Sequence, residues 1–161
     1  MMPRLAFIMT FVLAGLCLSQ ESPAVSPYIA PGGVRDAAML KAEIAPGMLI
    51  SIFGGGFAID PMIVAQWPLP DSVAGVAVET ITAEAVRRAP LLFLSPRQIN
   101  AAIPYEVEGD TVDIRVRSPL GVSNTERVPL VRAAPRTFTV VDIASNPVST
   151  DRPARAGDVL T

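Results

Sequence analysis

The sequence predicts an all-β fold, a sandwich of antiparallel strands. From residue 45 onward, short apolar runs alternate with a period of two residues, as strands with one buried face do. Pro, Gly, Asn and Asp separate these runs and supply the turns between them. Amphipathic helical segments of ordinary length are missing between the runs, which argues against an α/β fold.

The predicted strands follow one another as residues 48–53, 75–82, 91–94, 98–103, 111–117, 122–131 and 137–143. Pro46-Gly47 precede the first strand, and three glycines end it. Ser95-Pro96 divide the third strand from the fourth. About seven strands over about 100 residues is the size and strand number of an immunoglobulin-like sandwich.

The strand over 111–117 has the clearest alternation. Its apolar face is expected to carry Val112, Ile114 and Val116. Its other face is expected to carry Asp113, Arg115 and Arg117. Such a strand is buried on one side and wet on the other, which is typical of an antiparallel sheet covering a core.

The N-terminus has the order of regions found in a secretory signal peptide. Arg4 gives the positive region, Leu5–Leu18 gives an apolar run, and small or polar residues follow from Ser19. The apolar run is shorter than the roughly 20 residues that span a bilayer. Leu16 precedes Cys17, which does not fit a lipoprotein signal. We therefore expect cleavage after Ser19 and a secreted or extracytoplasmic location, in the periplasm or at the cell surface, without a transmembrane anchor.

The organisation predicted for the remainder has three parts. Residues 20–44 are rich in Pro and Gly and are expected to form an irregular leader. The sandwich is expected over 45–144. Residues 145–161 are expected to form a linker and the start of a second, truncated β-module, because 155–161 repeat the glycine turn and apolar start of 45–51.

The residue types present offer little for catalysis. The 161 residues include no His, and the single Cys lies in the predicted signal peptide. The usual general base near neutral pH and the main ligands of zinc, copper and iron–sulfur sites are therefore missing. We predict a non-enzymatic protein with no cofactor and no metal. Without Arg4, twelve basic residues face fifteen acidic ones, a net charge of −3 that does not favour nucleic acid.

A family resemblance covers roughly residues 44–161. Four segments carry it: residues 44–54, residues 68–70 with 75–78, residues 90–100 (Pro-Leu-Leu-Phe-Leu-Ser-Pro-Arg-Gln-Ile-Asn) and residues 103–106. They resemble an uncharacterised C-terminal β-domain family of acidobacterial exported proteins. That family is similar in architecture to IPT/TIG immunoglobulin-like domains. The resemblance implies a fold and no activity. Residues 82–89 depart from it, because they replace a short Asn-Gly turn that would fix hairpin register.

Two motifs, one acidic and one rich in glycine, each have a functional interpretation and a purely structural one. The acidic residues Glu106, Glu108, Asp110 and Asp113 could bind calcium or act as a carboxylate pair. Solvated turn residues are the commoner case. The run of glycines over 54–56 could bind phosphate, but it lacks the Gly-Lys-Ser/Thr ending and a following helix, so a strand-ending turn is favoured.

Three aromatic residues, Trp67, Phe57 and Tyr105, are the candidate ligand-binding residues. Trp67 could be an exposed platform for a sugar or a cap on the sandwich core. The leading hypothesis is a non-catalytic extracytoplasmic module that supports or spaces a larger protein beside neighbouring β-modules. The alternative is a carbohydrate- or protein-binding module that uses loops at one end of the sandwich. Exposure of the three aromatics on one surface would favour binding, and their burial would favour the spacer.

Overall fold

The computed structural model describes residues 26–58, 60–64, 66–141, 144–149 and 151–155. The predicted signal peptide over 1–19 and the predicted module start over 155–161 lie outside these ranges, except for Arg155. Within the described ranges the chain forms ten strands and no helix. The strands are β1 Tyr28–Asp36, β2 Leu49–Gly55, β3 Met62–Ile63, β4 Ala77–Ile81, β5 Val86–Ala89, β6 Leu91–Leu94, β7 Gln98–Ala102, β8 Thr111–Ser118, β9 Gly121–Val122 and β10 Glu126–Pro129.

The strands form two sheets in which every pairing is antiparallel. The first sheet has the order β1-β2-β7-β6-β3, and the second has the order β10-β8-β4-β5, with β9 paired to β8. The predicted all-β class is confirmed at this level, and the strands number ten rather than about seven. Among the described residues we find no helical stretch that is both apolar and long enough to pass through a bilayer.

A single hydrophobic cluster joins the two sheets. The first sheet contributes side chains such as Ile50, Ile52 and Ile99, and the second contributes side chains such as Val78 and Ile114, all of them fully buried. Residues that alternate along a strand point to opposite faces, so one face of each sheet supplies this core. The result is a sandwich-like arrangement with the apolar interior between the sheets.

The alternation predicted along β8 is confirmed. Val112, Ile114 and Val116 are buried. On the other face Asp113 and Arg115 are half-buried and Arg117 is exposed. The apolar set packs into the core because β8 lies in the middle of its sheet, between β10 and β4.

The predicted irregular leader over 20–44 is wrong where β1 lies. Tyr28–Asp36 forms an edge strand of the first sheet against β2. Its Pro-Gly-Gly segment sits where the register shifts between Ile29 and Val34. A Cβ on Gly33 would lie 2.5 Å from the carbonyl oxygen of Phe53, so glycine is needed for the close approach. The residues that suggested a break therefore form a bulge inside a strand.

The predicted strand over 137–143 is also wrong in its described part. Residues 137–140 pair with no strand, and Val141 makes an isolated bridge to Pro147. Phe138 in this segment is 62% exposed. Alternation of side chains produces a strand only where a sheet edge accepts its backbone, and this segment is not paired to one.

The segment over 82–89 forms the loop and the second strand of a hairpin. β4 pairs with β5 through a register that runs from Val78↔Ala89 to Ile81↔Val86. In the loop, the N–H of Thr82 donates to the carbonyl of Ala85 at 2.9 Å. The sequence has no Asn-Gly turn to determine the register of the strand that follows β4, and a four-residue loop sets this register instead. The neighbours of β4 in its sheet are β5 and β8, whereas β6 lies in the other sheet.

The chain joins the sheets at one end of the sandwich and leaves them at the other. Tyr28, at the start of β1, pairs with Gly55 at the end of β2. After β10, the N–H of Leu130 donates to the carbonyl of Asp110, immediately before the start of β8. The first and last strands run in the same direction, since Ile29 lies beside Asn124 and Ile44 beside Leu130, so the start of β1 and the end of β10 lie at opposite ends of the sandwich.

Candidate functional site

The three aromatic residues predicted from the sequence do not share a surface. Phe57 is fully buried, whereas Trp67 and Tyr105 are 83% and 81% exposed. Phe57 follows the end of β2, and Tyr105 lies beside the residues that precede the start of β2. Phe57 and Tyr105 therefore occupy opposite ends of the sandwich. The prediction that the three aromatics form one binding surface is therefore wrong. The prediction that Phe57 contacts a ligand at the protein surface is also wrong.

Phe57 is buried because β2 continues through its glycines and turns inward after Gly55. Its N–H donates to the carbonyl of Pro96 at 3.4 Å, which fixes the turn against the loop between β6 and β7. The ring belongs to the core cluster and borders a small apolar cavity of about 270 Å³ together with Met62 and Leu120. The glycines end a strand here, as the sequence indicated.

Trp67 lies in the loop along the outer edge of the first sheet. The loop is bonded to β6 on both sides, by the N–H of Val64 to Leu92 and by the N–H of Leu91 to Pro70. The indole is exposed between these anchor points, so the interpretation of Trp67 as a cap on the core is wrong. Trp67 does not line the clefts that Tyr105 lines.

Tyr105 stands between two adjoining surface clefts at the end of the sandwich where the chain leaves the sheets. The clefts have volumes of about 570 and 670 Å³, and both are lined by Pro46, Tyr105 and Arg132. The larger opening extends towards the exposed acidic turn at Glu108. The other extends towards Phe138, whose ring is also exposed. This is the candidate functional site, and it is called the Tyr105 cleft below.

Gly47 positions the Tyr105 ring. Gly47 has a φ of +74°, and its N–H donates to the carbonyl of Ile103 at 2.9 Å. The tyrosine ring lies against the glycine so closely that a Cβ there would be 2.7 Å from Tyr105 Cζ. The next residues keep the ring at the surface, because Val107 is buried and its N–H donates to the carbonyl of Pro104. The aromatic face is therefore presented on a rigid turn.

A buried carboxylate lies at the wall of the Tyr105 cleft. Asp36, at the end of β1, is fully buried and accepts hydrogen bonds from the N–H groups of Ala38, Met39 and Lys41 at 3.0, 2.7 and 2.6 Å. Burial opposes ionisation, but the three backbone donors and the charge of Arg136 outweigh it and hold the pKa of Asp36 below its ordinary value. The Arg136 Nε atom is 3.6 Å from Asp36 Oδ2.

Arg136 has an incompletely satisfied guanidinium. Its Nη2 atom lies 3.8 Å from Glu43 Oε2, and its Nη1 atom donates to the carbonyl of Pro135. Its Nε atom is buried and makes no hydrogen bond to the part of the chain that the structure describes. The cleft thus combines exposed aromatic faces with guanidinium groups and carboxylates on its walls, a composition suited to reversible binding of a polar ligand and without a nucleophile–base pair.

The acidic residues singled out from the sequence are spread apart. Glu106, Glu108 and Asp110 are exposed in the turns before β8. Asp113 lies on β8 and accepts two hydrogen bonds from Arg127 of β10, at 2.7 and 2.9 Å. Across the described ranges, no three His, Cys, Asp or Glu side chains come close enough together to hold a metal ion.

A cluster of three charged side chains lies on the outer face of the second sheet. It was not identified from the sequence. Glu79 of β4 is nearly buried and accepts hydrogen bonds from Arg115 and Arg117 of β8, each at 2.5 Å at its shortest. Burial opposes ionisation of Glu79, but the two guanidinium groups lower its pKa overall. The sequence feature that could have indicated this cluster is the presence of a glutamate within the apolar run over 75–82. Arg88, directly opposite Glu79 on β5, is exposed.

The sequence matches no protein-family model and no curated protein. Among solved structures, it is similar to the crystal structure of gamma-CGTase from Alkalophilic bacillus clarkii at 1.65 Å resolution. The similarity has a TM-score of 0.45 and 20% sequence identity. It covers 78% of this chain and 15% of that chain, so the matched part is a small fraction of the other protein.

Proposed function

We propose that this protein is a non-catalytic, extracytoplasmic spacer module with an immunoglobulin-like, IPT/TIG-like sandwich. The observation that supports the proposal is the placement of the two connections at opposite ends of the strands, at Tyr28 and at Leu130. With cleavage after Ser19, residues 20–27 precede β1, so a module connected in this way holds a partner bound to that short segment apart from the chain that follows Leu130. A module with both connections at one end would project sideways from the chain instead.

The separation is set by strand length. β1 runs from one end of the sandwich to the other. Its bulge shortens it, because Tyr28 pairs with Gly55 and Asp36 with Ile50, so it spans six residues of β2, roughly 20 Å at the rise of an extended strand. The core is continuous along this length, from Ile29 to Ile50. The spacer is therefore stiff over its own length, and neighbouring β-modules are its proposed partners. Export is proposed from the signal-like sequence over 1–19.

Small-angle scattering on one and on two tandem copies of residues 26–155 tests the spacer. We expect the maximum dimension to increase by about the length of one module when the second copy is added, because each copy continues the axis of the previous one. A two-copy chain that is scarcely longer than a single copy would contradict the proposal. The single copy measured under the same conditions is the control.

A second candidate function is polysaccharide binding in the Tyr105 cleft. The exposure of Tyr105 on its rigid turn, with Arg132 beside it, favours this function. An aromatic face stacks on the apolar face of a sugar ring, and a guanidinium donates hydrogen bonds to hydroxyl or carboxylate oxygens. The cleft lies at one end of the sandwich, where loops of such folds present their binding residues.

A glycan array with the purified chain tests this second function. Binding that disappears in Tyr105→Ala and persists in Trp67→Ala would support it, since Trp67 is equally exposed but lies outside the cleft. Binding that both variants retain would place the ligand elsewhere. If glycans fail to bind while a protein partner binds in a Tyr105-dependent way, the cleft is a protein site.

A further inference from the structure

The first and the last strand lie side by side along one side of the sandwich. β1 is an edge strand of the first sheet and β10 is an edge strand of the second. The side-chain amide of Asn124, just before β10, replaces a β-ladder partner for Ile29: Ile29 N donates to Asn124 Oδ1 at 2.8 Å, and Asn124 Nδ2 donates to Ile29 O at 3.1 Å. These bonds join the two sheets at the start of β1.

Two further contacts continue this line towards the other end. Gly32 N donates to Glu126 Oε1 at 2.7 Å. Beyond β1, Ile44 forms a parallel bridge with Leu130, in which Ile44 N donates to the carbonyl of Pro129 at 3.2 Å and the N–H of the residue after Leu130 donates to Ile44 O at 2.9 Å. We call the line of contacts from Ile29 to Ile44 the seam.

The seam joins two segments that run in the same direction. The positions along the first segment increase from 29 through 32 to 44, while their partners increase from 124 through 126 to 130. The chain joins the sandwich at the beginning of the first segment and leaves it after the end of the second. Tension between these two points therefore pulls the two segments along their axes in opposite senses.

Pulling in this sense loads the whole seam together. When two strands slide along each other, every hydrogen bond between them is strained before any one breaks, so the barrier to separation includes all of them. When a strand is peeled from its end, the bonds break one after another under a smaller force. The β1–β2 ladder is loaded along its axis in the same way, since β2 is held by β7.

We propose that the seam is a tension clamp that keeps the module folded when force is applied between its two ends. This function rests on the proposed spacer role with a partner bound to the segment before β1, because load reaches β1 only through that segment. The clamp depends on hydrogen bonds donated and accepted by Asn124 and Glu126 and on the bridge at Ile44. It assigns a function to side chains that neither the core nor the Tyr105 cleft uses.

Single-molecule force spectroscopy on the full chain tests the clamp. Handles are attached through Ser26→Cys and Thr137→Cys in a Cys17→Ser background, so that the load runs along the seam. A second chain carries handles at Ser26→Cys and Pro119→Cys, both near the end where β1 begins, so that β1 is peeled. At equal constant load, we expect the end-to-end geometry to unfold at least tenfold more slowly than the peeling geometry. Forced unfolding is governed by the unfolding rate, which this experiment measures directly.

Asn124→Ala removes both bonds to Ile29, and it should raise the end-to-end unfolding rate about tenfold, as expected for the loss of two hydrogen bonds of ordinary net strength. Arg127→Ala is the matched control. Arg127 lies on β10, but it pairs with Asp113 on the outer face of the second sheet and does not contribute to the seam. It should change the end-to-end rate by less than twofold.

Equal unfolding rates in the two pulling geometries would overturn the clamp, and this comparison needs no variant of the seam. A change of less than twofold in Asn124→Ala would also overturn it. These results are distinct from failure of the spacer, which the scattering experiment reports. An extended two-copy chain whose modules unfold equally fast in both directions would leave the spacer intact and remove only the clamp.

Discussion

The carboxylate of Asp36 and the guanidinium of Arg136 meet at the end of the sandwich where β1 ends and the segment after β10 begins. Asp36 Oδ2 forms an ion pair with Arg136 Nε at 3.6 Å, and the hydrogen bonds to this carboxylate come from three backbone N–H groups. Asp36 holds the turn that follows β1 by accepting from residues two, three and five positions ahead. The same side chain therefore organises a local turn and contacts a segment far along the chain.

Replacing Asp36 by Asn should lower the free energy of unfolding by about 1–3 kcal/mol. The amide keeps one acceptor oxygen but turns an NH₂ group towards backbone donors, which leaves buried groups unsatisfied. Urea denaturation followed by circular dichroism measures the change. Glu43→Gln is the control, because Glu43 contacts the same arginine from an exposed position and should change stability by well under 1 kcal/mol. Equal losses in the two variants would contradict the role of Asp36 in the turn.

The lowered pKa values of Asp36 and Glu79 predict acid sensitivity. A carboxyl group whose pKa is lower in the folded state stabilises the fold above its unfolded pKa, and this contribution is lost as the pH falls through the folded value. The ordinary values are 3.8 and 4.5, so the contribution is present above about pH 5 and declines at lower pH. Thermal melts from pH 7 to pH 2 should show this decline. The difference between the parent chain and Asp36→Asn should shrink over the same range, and a constant difference would contradict the assignment.

The two faces of β8 should respond differently to truncation. Ile114→Ala should cost about 2–5 kcal/mol because it leaves a cavity in the core. Arg115→Ala should cost about 1–2 kcal/mol because it removes two hydrogen bonds from the nearly buried Glu79. A solvated arginine on the outer face of a strand would cost well under 1 kcal/mol, so the contact with Glu79 accounts for the larger expected loss. Arg88→Ala, the control on the same face, should stay within about 0.5 kcal/mol. Equal effects of the two arginines would show that the Glu79 contacts add no stability.

A methyl group at Gly47 should disturb both the turn and the Tyr105 ring. Gly47→Ala should cost about 1 kcal/mol more than Gly75→Ala. The two positions have nearly equal φ values of +74° and +76°, but an added Cβ would overlap the tyrosine ring at Gly47, whereas at Gly75 it would lie 3.0 Å from Pro119 Cγ. Combining Gly47→Ala with Tyr105→Ala should recover the additional cost in a double-mutant cycle. Purely additive losses would indicate that the ring does not press on Gly47.

The parts of the fold that the sequence predicted are those with local signals. β8 shows a clean alternation, and β6 and β7 are separated by a Ser-Pro turn whose Ser95 hydroxyl accepts from the N–H of Gln98 at 2.9 Å. β1 could not be predicted, because Gly33 is needed for a close approach to Phe53, which belongs to a different segment. The segment over 137–143 alternates convincingly, but alternation does not state whether a sheet edge is available.

Of the candidate site, only the exposed aromatic residues could be predicted from the sequence. Tyr105 and Trp67 stood out by their rarity and their loop positions, and both are exposed. Phe57 could not be placed, because a short glycine run does not determine which side the next residue faces. The meeting of Asp36 with Arg136 depends on the sandwich bringing two distant segments to one end, and no periodicity in either segment encodes that contact.

The edge strands of the two sheets determine how readily copies of this protein associate through their β-sheets. β3 has only two residues, and β5 presents Arg87 and Arg88 along its exposed edge. β1 bends at its bulge, and β10 ends in a proline that has no N–H to donate. Short, charged, bent or proline-ended edges are poor templates for pairing with a strand from another molecule. Many such modules can therefore be held at high local concentration, in one chain or on one surface, without merging their sheets into aggregates.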